Sequence, residues 1–135
     1  MKHVVLKIML MALVGCASTP TLPLDPKNKD HMVIETAIRR TLDKSTGELN
    51  KADLDKVKGL YLGGHQISDL SPLASLKELE GLSLQFNRIT DLTPLEELSG
   101  LKNLWIEGNP GLTIEAIAKL QRALPKCKII HNAKK

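Results

Sequence analysis

Residues 79–87 read LEGLSLQFN, and residues 101–109, after a spacing of 22, read LKNLWIEGN. Both segments place apolar residues at the first, fourth and sixth positions and Asn at the ninth. The spacing extends in both directions and joins six apolar columns, which are Val57, Leu79 and Leu101; Leu60, Leu82 and Leu104; Leu62, Leu84 and Ile106; Leu70, Leu92 and Ile114; Leu73, Leu95 and Ile117; and Leu76, Leu98 and Leu120. Such a fixed period predicts stacked units that share one continuous core.

The second half of each unit repeats as well. Residues 67–73 read ISDLSPL, and residues 89–95 read ITDLTPL. Together the halves form a unit that resembles the leucine-rich repeat, in particular its bacterial internalin subtype, over about Val57 to Leu120. The resemblance implies an α/β fold class, namely a short leucine-rich-repeat solenoid with parallel strands on one face, a helical N-terminal cap and a helical C-terminal cap.

Each unit is expected to form one short strand with its leucines pointing inward and the alternate residues pointing outward. The three predicted strands are Leu60–Leu62, Leu82–Leu84 and Leu104–Ile106. In the family, the Asn at the ninth position bonds to the backbone of the turn, which we expect of Asn87 and Asn109. His65 holds that position in the first unit, so we expect an irregular first turn and a structural role for His65.

Both open ends of a stacked core need caps. Ahead of the repeats, Asp30 is predicted to cap a helix, and Asn50 with Asp53 is predicted to open a second short helical turn. The apolar side of the first helix comprises Val33, Ile34, Ala37, Ile38 and Leu42.

After the repeats, Thr113 is predicted to cap a helix that Pro125 stops. One side of that helix carries Ile114, Ile117, Leu120, Gln121 and Leu124. Ile129 and Ile130 are expected to add a last strand.

The first residues carry targeting signals. Lys2 and Lys7 lie ahead of an apolar stretch at residues 8–14 that is too short to span a bilayer, which predicts a secretory signal peptide. Residues 13–16 read LVGC and resemble the lipobox of bacterial lipoproteins. The resemblance implies that Cys16 begins the mature chain and carries a diacylglycerol and an amide-linked acyl chain such as palmitate. The alternatives are an ordinary signal peptide, or a buried N-terminal helix with a chance cysteine.

Ala17 follows Cys16, at the position where inner-membrane lipoproteins usually carry Asp. The resemblance therefore implies the outer membrane in an organism with two membranes, and otherwise the outer face of the cell membrane. Residues 18–30, with three prolines, are predicted to form an extended tether. The predicted organisation is a signal peptide (1–15), the lipidated Cys and tether (16–30), a helical N-terminal cap (31–56), the repeats (57–112), and a capping helix, short strand and tail (113–135).

Composition excludes several classes of function. The 135 residues are enough for one domain, and the aromatic residues are Tyr61, Phe86 and Trp105, so an aromatic-lined cofactor pocket is not expected. Two cysteines cannot form a disulfide framework. The net charge of +4 comes from 19 basic residues interleaved with 15 acidic ones, which disfavours nucleic-acid binding.

The outward positions of the predicted strands are the candidate binding site. They comprise Tyr61, Ser83, Gln85, Asn103, Trp105 and Glu107, with Gly63 beside them. Tyr61 and Trp105 share one column, and aromatic residues on a rigid exposed surface are enriched at binding hot spots. Alternatively, these two rings pack against each other and against the neighbouring strand.

Residues that could support catalysis are scattered. They are His65, Asp69, Asp91, Glu107 and Cys127, and no two His residues have metal-ligand spacing. Asp69 and Asp91 repeat in one column and are expected to bond to the turn backbone. Cys127, between two lysines, is expected to behave as a partly buried apolar residue, the alternative being a reactive thiol with a lowered pKa. No catalytic residue, metal site or cofactor is therefore predicted.

Together these features predict a non-catalytic, membrane-anchored lipoprotein that acts on the cell envelope as a protein-binding module. Its partner is another protein, or a glycan, at the strand face, and it contacts the membrane through the lipid on Cys16. The alternative is a structural envelope lipoprotein that acts by self-association or cell-wall contact without a specific ligand.

Overall fold

The computed structural model describes residues 22–134. The predicted signal peptide, Cys16 and the first part of the predicted tether lie outside these residues. The helices are α1 (Lys29–Leu42), α2 (Lys51–Leu54) and α3 (Ile114–Ala123), and the strands are β1 (Gly59–Tyr61), β2 (Gly81–Ser83), β3 (Asn103–Trp105) and β4 (Lys128–Ile130). Short 3₁₀ turns at Ser71–Ser75 and Thr93–Leu95 form the return side of the first two units.

The four strands form one parallel sheet in the order β1-β2-β3-β4. Leu60 pairs with Leu82, Leu82 with Leu104, and Leu104 with Ile129. The repeat spacing predicts the first two pairings, so the predicted short solenoid and its last strand are confirmed. Each strand begins one residue earlier than predicted, because pairing starts ahead of the inward leucine, where Gly81 N–H donates to the Lys58 carbonyl at 3.0 Å.

The leucine columns form the core. Every member of the six columns is buried except Ile114, the first residue of α3 at the open end of the stack. Burying one Leu side chain contributes about 2 kcal/mol, so the columns provide the main stabilisation of the stack. Among the described residues, the core continues into α1 through Ile34 and Ile38 and ends at Cys127.

Two buried asparagines tie the units together, as predicted. The Asn87 side chain accepts hydrogen bonds from the N–H groups of His65 and Ile67, both at 3.0 Å, and donates to the carbonyls of Leu62 at 2.8 Å and Leu84 at 3.0 Å. Asn109 accepts from Ile89 N–H at 3.1 Å and donates to the carbonyls of Leu84 and Ile106, both at 2.9 Å. Backbone groups inside the stack are thereby satisfied.

The first turn differs from the others, as expected. Gln66 has a φ of 57°, whereas its counterparts in the next two units do not have a positive φ. The expected structural role of the His65 side chain is wrong: the ring is exposed, and Asn87 of the following unit binds the His65 backbone instead. The hydrogen bonds that the first turn needs are therefore made by Asn87 of the second unit.

The N-terminal cap begins earlier than predicted. Asn28, not Asp30, is the N-cap of α1, and its side chain accepts from Asp30 N–H at 2.9 Å. The Asp30 carboxylate instead accepts from the backbone N–H groups of Ser68 and Asp69, both at 2.9 Å, which joins α1 to the first repeat. Asn50 and Asp53 form the expected capping box of α2.

Part of the predicted tether is folded. Leu22 is only 6 % exposed within the core, and Leu24 packs against it. The prediction of an extended tether up to residue 30 is thus wrong from Leu22 onward, because these two leucines bury apolar area that offsets the cost of ordering the segment. At the other end, Thr113 caps α3 as predicted, accepting from Ala116 N–H at 3.1 Å.

Candidate functional site

The parallel strands present one outward surface. We define the strand face as the outward residues of β1 to β3 and of the positions that follow them: Gly59, Tyr61, Gly63, Gly81, Ser83, Gln85, Asn103, Trp105 and Glu107. Tyr61 pairs with Ser83, and Ser83 pairs with Trp105, so these three residues form one row across the sheet. Two strand spacings separate the backbones of Tyr61 and Trp105, about 10 Å.

The residues of this row differ in exposure. Tyr61 is 81 % exposed, whereas Ser83 and Trp105 are half-buried. Such exposure means that the Tyr61 ring is not packed away against Trp105, the alternative considered from the sequence. Gln85, Asn103 and Glu107 are also half-buried. The structure therefore brings all six candidate binding residues onto one surface, and Tyr61 is the most exposed of them.

Small and polar residues lie beside the row of Tyr61, Ser83 and Trp105. Gly63 allows a close approach to the next unit, since a Cβ there would lie 3.3 Å from the Gln85 carbonyl oxygen. The Ser83 hydroxyl donates to Gln85 Oε1 at 3.1 Å, which fixes both side chains. Glu107 is the one charged residue of the strand face. Its Oε2 atom is buried and has no hydrogen-bond partner among the described residues.

Phe86, at the edge of the strand face, was not among the candidate residues. Its φ is 58°, and its side chain is 69 % exposed. Its counterparts in the neighbouring units are Gly64 and Gly108, with φ of 76° and 74°. A bulky residue in this left-handed conformation costs about 1–2 kcal/mol, whereas Gly adopts it freely. An aromatic residue in a column otherwise occupied by glycine is the sequence signal that could have identified Phe86.

A groove adjoins the strand face on the side of α1. It has a volume of about 240 Å³ and is lined by Met32, Val33, Thr36, Ala37, Arg40, Tyr61 and His65. Met32 is 36 % exposed there. Because Tyr61 belongs to both surfaces, it connects the groove with the strand face.

The residues considered for catalysis are not brought together. Asp69 Oδ1 accepts from Ser71 N–H and Asp91 Oδ1 from Thr93 N–H, both at 2.9 Å, so their predicted role in the turns is confirmed. Hydrogen bonding from the backbone and side chain of Ser71 lowers the pKa of Asp69 to about 2, with a smaller contribution from His31. Hydrogen bonds from Thr93 likewise lower the pKa of Asp91.

One cluster contains residue types found in hydrolases, and sequence reasoning missed it. His31 Nε2 lies 2.8 Å from Asp69 Oδ2 and 3.3 Å from Ser71 Oγ, while its Nδ1 accepts from Asp25 N–H at 2.9 Å. In a catalytic triad the acid and the hydroxyl contact opposite ring nitrogens. Here both contact Nε2, so the ring cannot relay a proton between them, and the cluster instead joins α1 to the first repeat.

Cys127, another candidate, lies in the core. Cys127 is 4 % exposed, and burial raises the pKa of its thiol, so the alternative of a reactive thiol with a lowered pKa is wrong. In residues 22–134, the His, Cys, Asp and Glu side chains form no group able to hold a metal ion. None of the helices in that part of the chain is long and apolar enough to cross a bilayer.

Comparison with known proteins supports the leucine-rich-repeat fold. A model of leucine-rich repeats in two copies matches residues 55–97 and 77–119. A crystal structure of an internalin, InlF, from Listeria monocytogenes is 25 % identical with a TM-score of 0.65, covering 76 % of this chain and 31 % of that one. Internalin C2 from the same species is 30 % identical with a TM-score of 0.67, covering 86 % and 50 %.

The chain thus spans half or less of the length of these two solved proteins. A search of curated proteins found no significant match.

Proposed function

Because the chain carries an internalin-like leucine-rich-repeat domain, a module that generally serves protein interaction, we propose that it binds a partner protein through the strand face without catalysis. The observation that carries the proposal is the 81 % exposure of Tyr61, in one row with Trp105 on a rigid parallel sheet. Aromatic side chains held in this way supply large contact area at little cost in conformational entropy.

The size of the surface bears on the affinity. The strand face covers three strands about 4.8 Å apart and five residues long, so it presents roughly 250 Å², against the roughly 800 Å² that each partner contributes to a standard interface. The groove next to α1 continues the surface beyond Tyr61, and the exposed ring of Phe86 continues it directly after Gln85. We expect contacts with both extensions, or a modest affinity that high local density on a membrane compensates.

The anchor is part of the same proposal. Residues 1–15 with Cys16 resemble a lipoprotein signal, which supports a lipidated protein on the cell envelope, in the outer membrane where there are two membranes. Replacing Cys16 by Ser should leave the precursor uncleaved and unacylated, as measured by mass spectrometry of the membrane fraction. Replacing Cys127 by Ser is the control and should leave processing unchanged. Normal processing of Cys16→Ser would contradict the anchor.

Crosslinking in intact cells tests the binding proposal. A photoreactive residue at Ser83 lies at the centre of the strand face, and one at Glu97 lies on the return side, where the side chain is 80 % exposed. A discrete crosslinked protein from Ser83 and not from Glu97 is the expected result. Products common to both positions, or dimers of the chain alone, would favour self-association as a structural envelope protein instead.

A further inference from the structure

Phe86 is held in its exposed position by the following unit. A Cβ at Gly108 would lie only 2.5 Å from Cδ1 and 2.9 Å from Cε1 of Phe86, so the ring lies directly over the Gly108 backbone. The Phe86 backbone is fixed as well, since its N–H donates to the Glu107 carbonyl at 2.9 Å. An aromatic ring is thus kept over the third unit, although Gly is the residue that the left-handed backbone favours.

Glu107 lies between two aromatic side chains. Trp105, the last residue of β3, precedes it by two residues, and the ring of Phe86 covers Gly108 directly after it. Gln85 occupies the equivalent position of the neighbouring unit and already accepts from Ser83. Glu107 therefore lies in the chain between Trp105 and the residue that the Phe86 ring covers, and its carbonyl accepts from Phe86 N–H.

The charge of Glu107 is not matched within the described residues. None of the ion pairs in residues 22–134 includes it, and its Oε2 atom is buried without a hydrogen-bond donor. Lys128, opposite Asn103 in β4, and Arg88, just after Asn87, are exposed cations nearby, and neither forms an ion pair with Glu107. Because Oε2 is closed to solvent, a donor from a bound molecule would pair with the exposed part of this half-buried carboxylate.

We propose that Trp105, Glu107 and Phe86 form a subsite for an arginine side chain of the partner protein, an inference that rests on the proposed binding function. A guanidinium stacks on aromatic faces, remains charged at all physiological pH values, and donates several hydrogen bonds in one plane to a carboxylate. The subsite combines the two aromatic surfaces with the unpaired carboxylate that this cation requires. Tyr61, two strands away, contacts a different part of the partner.

A titration with a small probe tests the subsite separately from the partner. Trp105 is the one tryptophan of the chain, so its fluorescence and its indole N–H resonance report on this site. The full chain carrying Cys16→Ser is titrated with acetyl-Gly-Arg-Gly-amide, and with acetyl-Gly-Gln-Gly-amide as the uncharged control. The expected result is a saturable change with the arginine peptide that the glutamine peptide does not produce.

Variants assign the effect to named groups. Glu107→Gln keeps the shape of the side chain and should weaken binding of the arginine peptide about tenfold, as for the loss of a charge-assisted hydrogen bond. Phe86→Gly should also weaken it, without the risk of unfolding, because Gly suits that backbone. The control Glu97→Gln, on the return side, should bind the peptide like the parent chain.

Three outcomes would overturn the subsite: no saturable change with the arginine peptide, an equal change with the glutamine peptide, or unchanged binding by Glu107→Gln. Failure of the binding proposal is a different result, namely no specific crosslink from Ser83. A partner captured at Ser83 whose binding is indifferent to Glu107→Gln would retain the proposed function and reject the arginine subsite.

Discussion

Asn87 Nδ2 donates a hydrogen bond of 2.8 Å to the carbonyl of Leu62, so one side chain of the second unit completes the hydrogen bonding of the first. Asn87 also receives two backbone N–H groups from the first turn, whereas Asn109 receives one from the second. The first turn, where His65 replaces the usual Asn, therefore depends more on its neighbour than the second turn does.

Replacing Asn87 by Ala should lower the free energy of unfolding by about 3 kcal/mol, because several buried backbone groups lose their partners. Asn109→Ala is the matched comparison and should cost less, since it leaves fewer backbone groups unpaired. Chemical denaturation followed by circular dichroism measures both. A smaller loss for Asn87→Ala than for Asn109→Ala would contradict the dependence of the first turn on Asn87.

Phe86→Gly should stabilise the domain by about 0.5–1 kcal/mol, because relief of the left-handed strain exceeds the added entropy of Gly in the unfolded chain. Arg88→Gly is the control: Arg88 is exposed and has no positive φ, so Gly there should destabilise. Thermal unfolding compares the two variants. If both destabilise equally, the conformation of Phe86 carries no strain.

Tyr61→Ala should abolish capture of the partner at Ser83 while changing the free energy of unfolding by less than about 0.5 kcal/mol, since the exposed ring buries little area. Trp105→Ala should also abolish capture, at a larger cost in stability because Trp105 is half-buried. Crosslinking yield and denaturant midpoint are measured on the same variants. Retained capture by both would remove the strand face from the binding proposal.

Asp69→Asn should make stability less dependent on pH. The pKa of Asp69 is lowered to about 2 in the folded state, so its stabilisation is present above its unfolded pKa near 3.8 and is lost as the pH falls towards 2. A shift of this size corresponds to about 2 kcal/mol, reduced to about 1 kcal/mol because 39 % of the side chain is exposed.

The variant should therefore be about 1 kcal/mol less stable than the parent at pH 7 and equal to it near pH 2. Denaturation at a series of pH values measures the difference, and Glu97→Gln, in a surface ion pair, is the control that should stay close to the parent throughout. A difference that persists at pH 2 would mean that the Asn side chain perturbs packing instead of removing a charge.

Cys127 should react slowly with thiol reagents in the folded protein, because burial both shields the sulfur and raises its pKa. In the chain carrying Cys16→Ser, Cys127 is the remaining thiol. Labelling by a maleimide at about pH 7.5 therefore reports on Cys127 alone. Denaturant should increase the labelling rate over the same concentration range in which it unfolds the domain. Equal rates in native and denatured protein would show that the thiol is accessible.

Much of the fold could be predicted because it depends on a local repeat. The spacing of 22 fixes the pairing of Leu60 with Leu82 and of Leu82 with Leu104, and the Asn at the ninth position marks the second and third turns. The N-cap was misplaced because both Asn28 and Asp30 are good capping residues. Only the tertiary contact of Asp30 with the backbone of Ser68, 38 residues away, decides between them.

The candidate site could be predicted in outline only. Strand alternation places Tyr61 and Trp105 on one surface, but their different exposures depend on neighbouring side chains that a repeat pattern does not describe. Phe86 was not predicted because the apolar columns identify core residues, and the Phe86 ring lies outside the core. His31 was missed because its partners, Asp69 and Ser71, are distant in sequence and meet it only after α1 docks.

The burial of Leu22 also limits how far the domain can stand from a lipid surface. With Cys16 acylated, five residues separate the anchored cysteine from the first core leucine, a span of roughly 20 Å when fully extended. This is shorter than the hydrocarbon thickness of a bilayer, about 30 Å. A domain tethered this closely would sample a shallow layer of solvent above the lipid headgroups. Under the proposed anchor, it would meet partners of the same membrane by lateral diffusion, and partners farther from the membrane would remain beyond its reach.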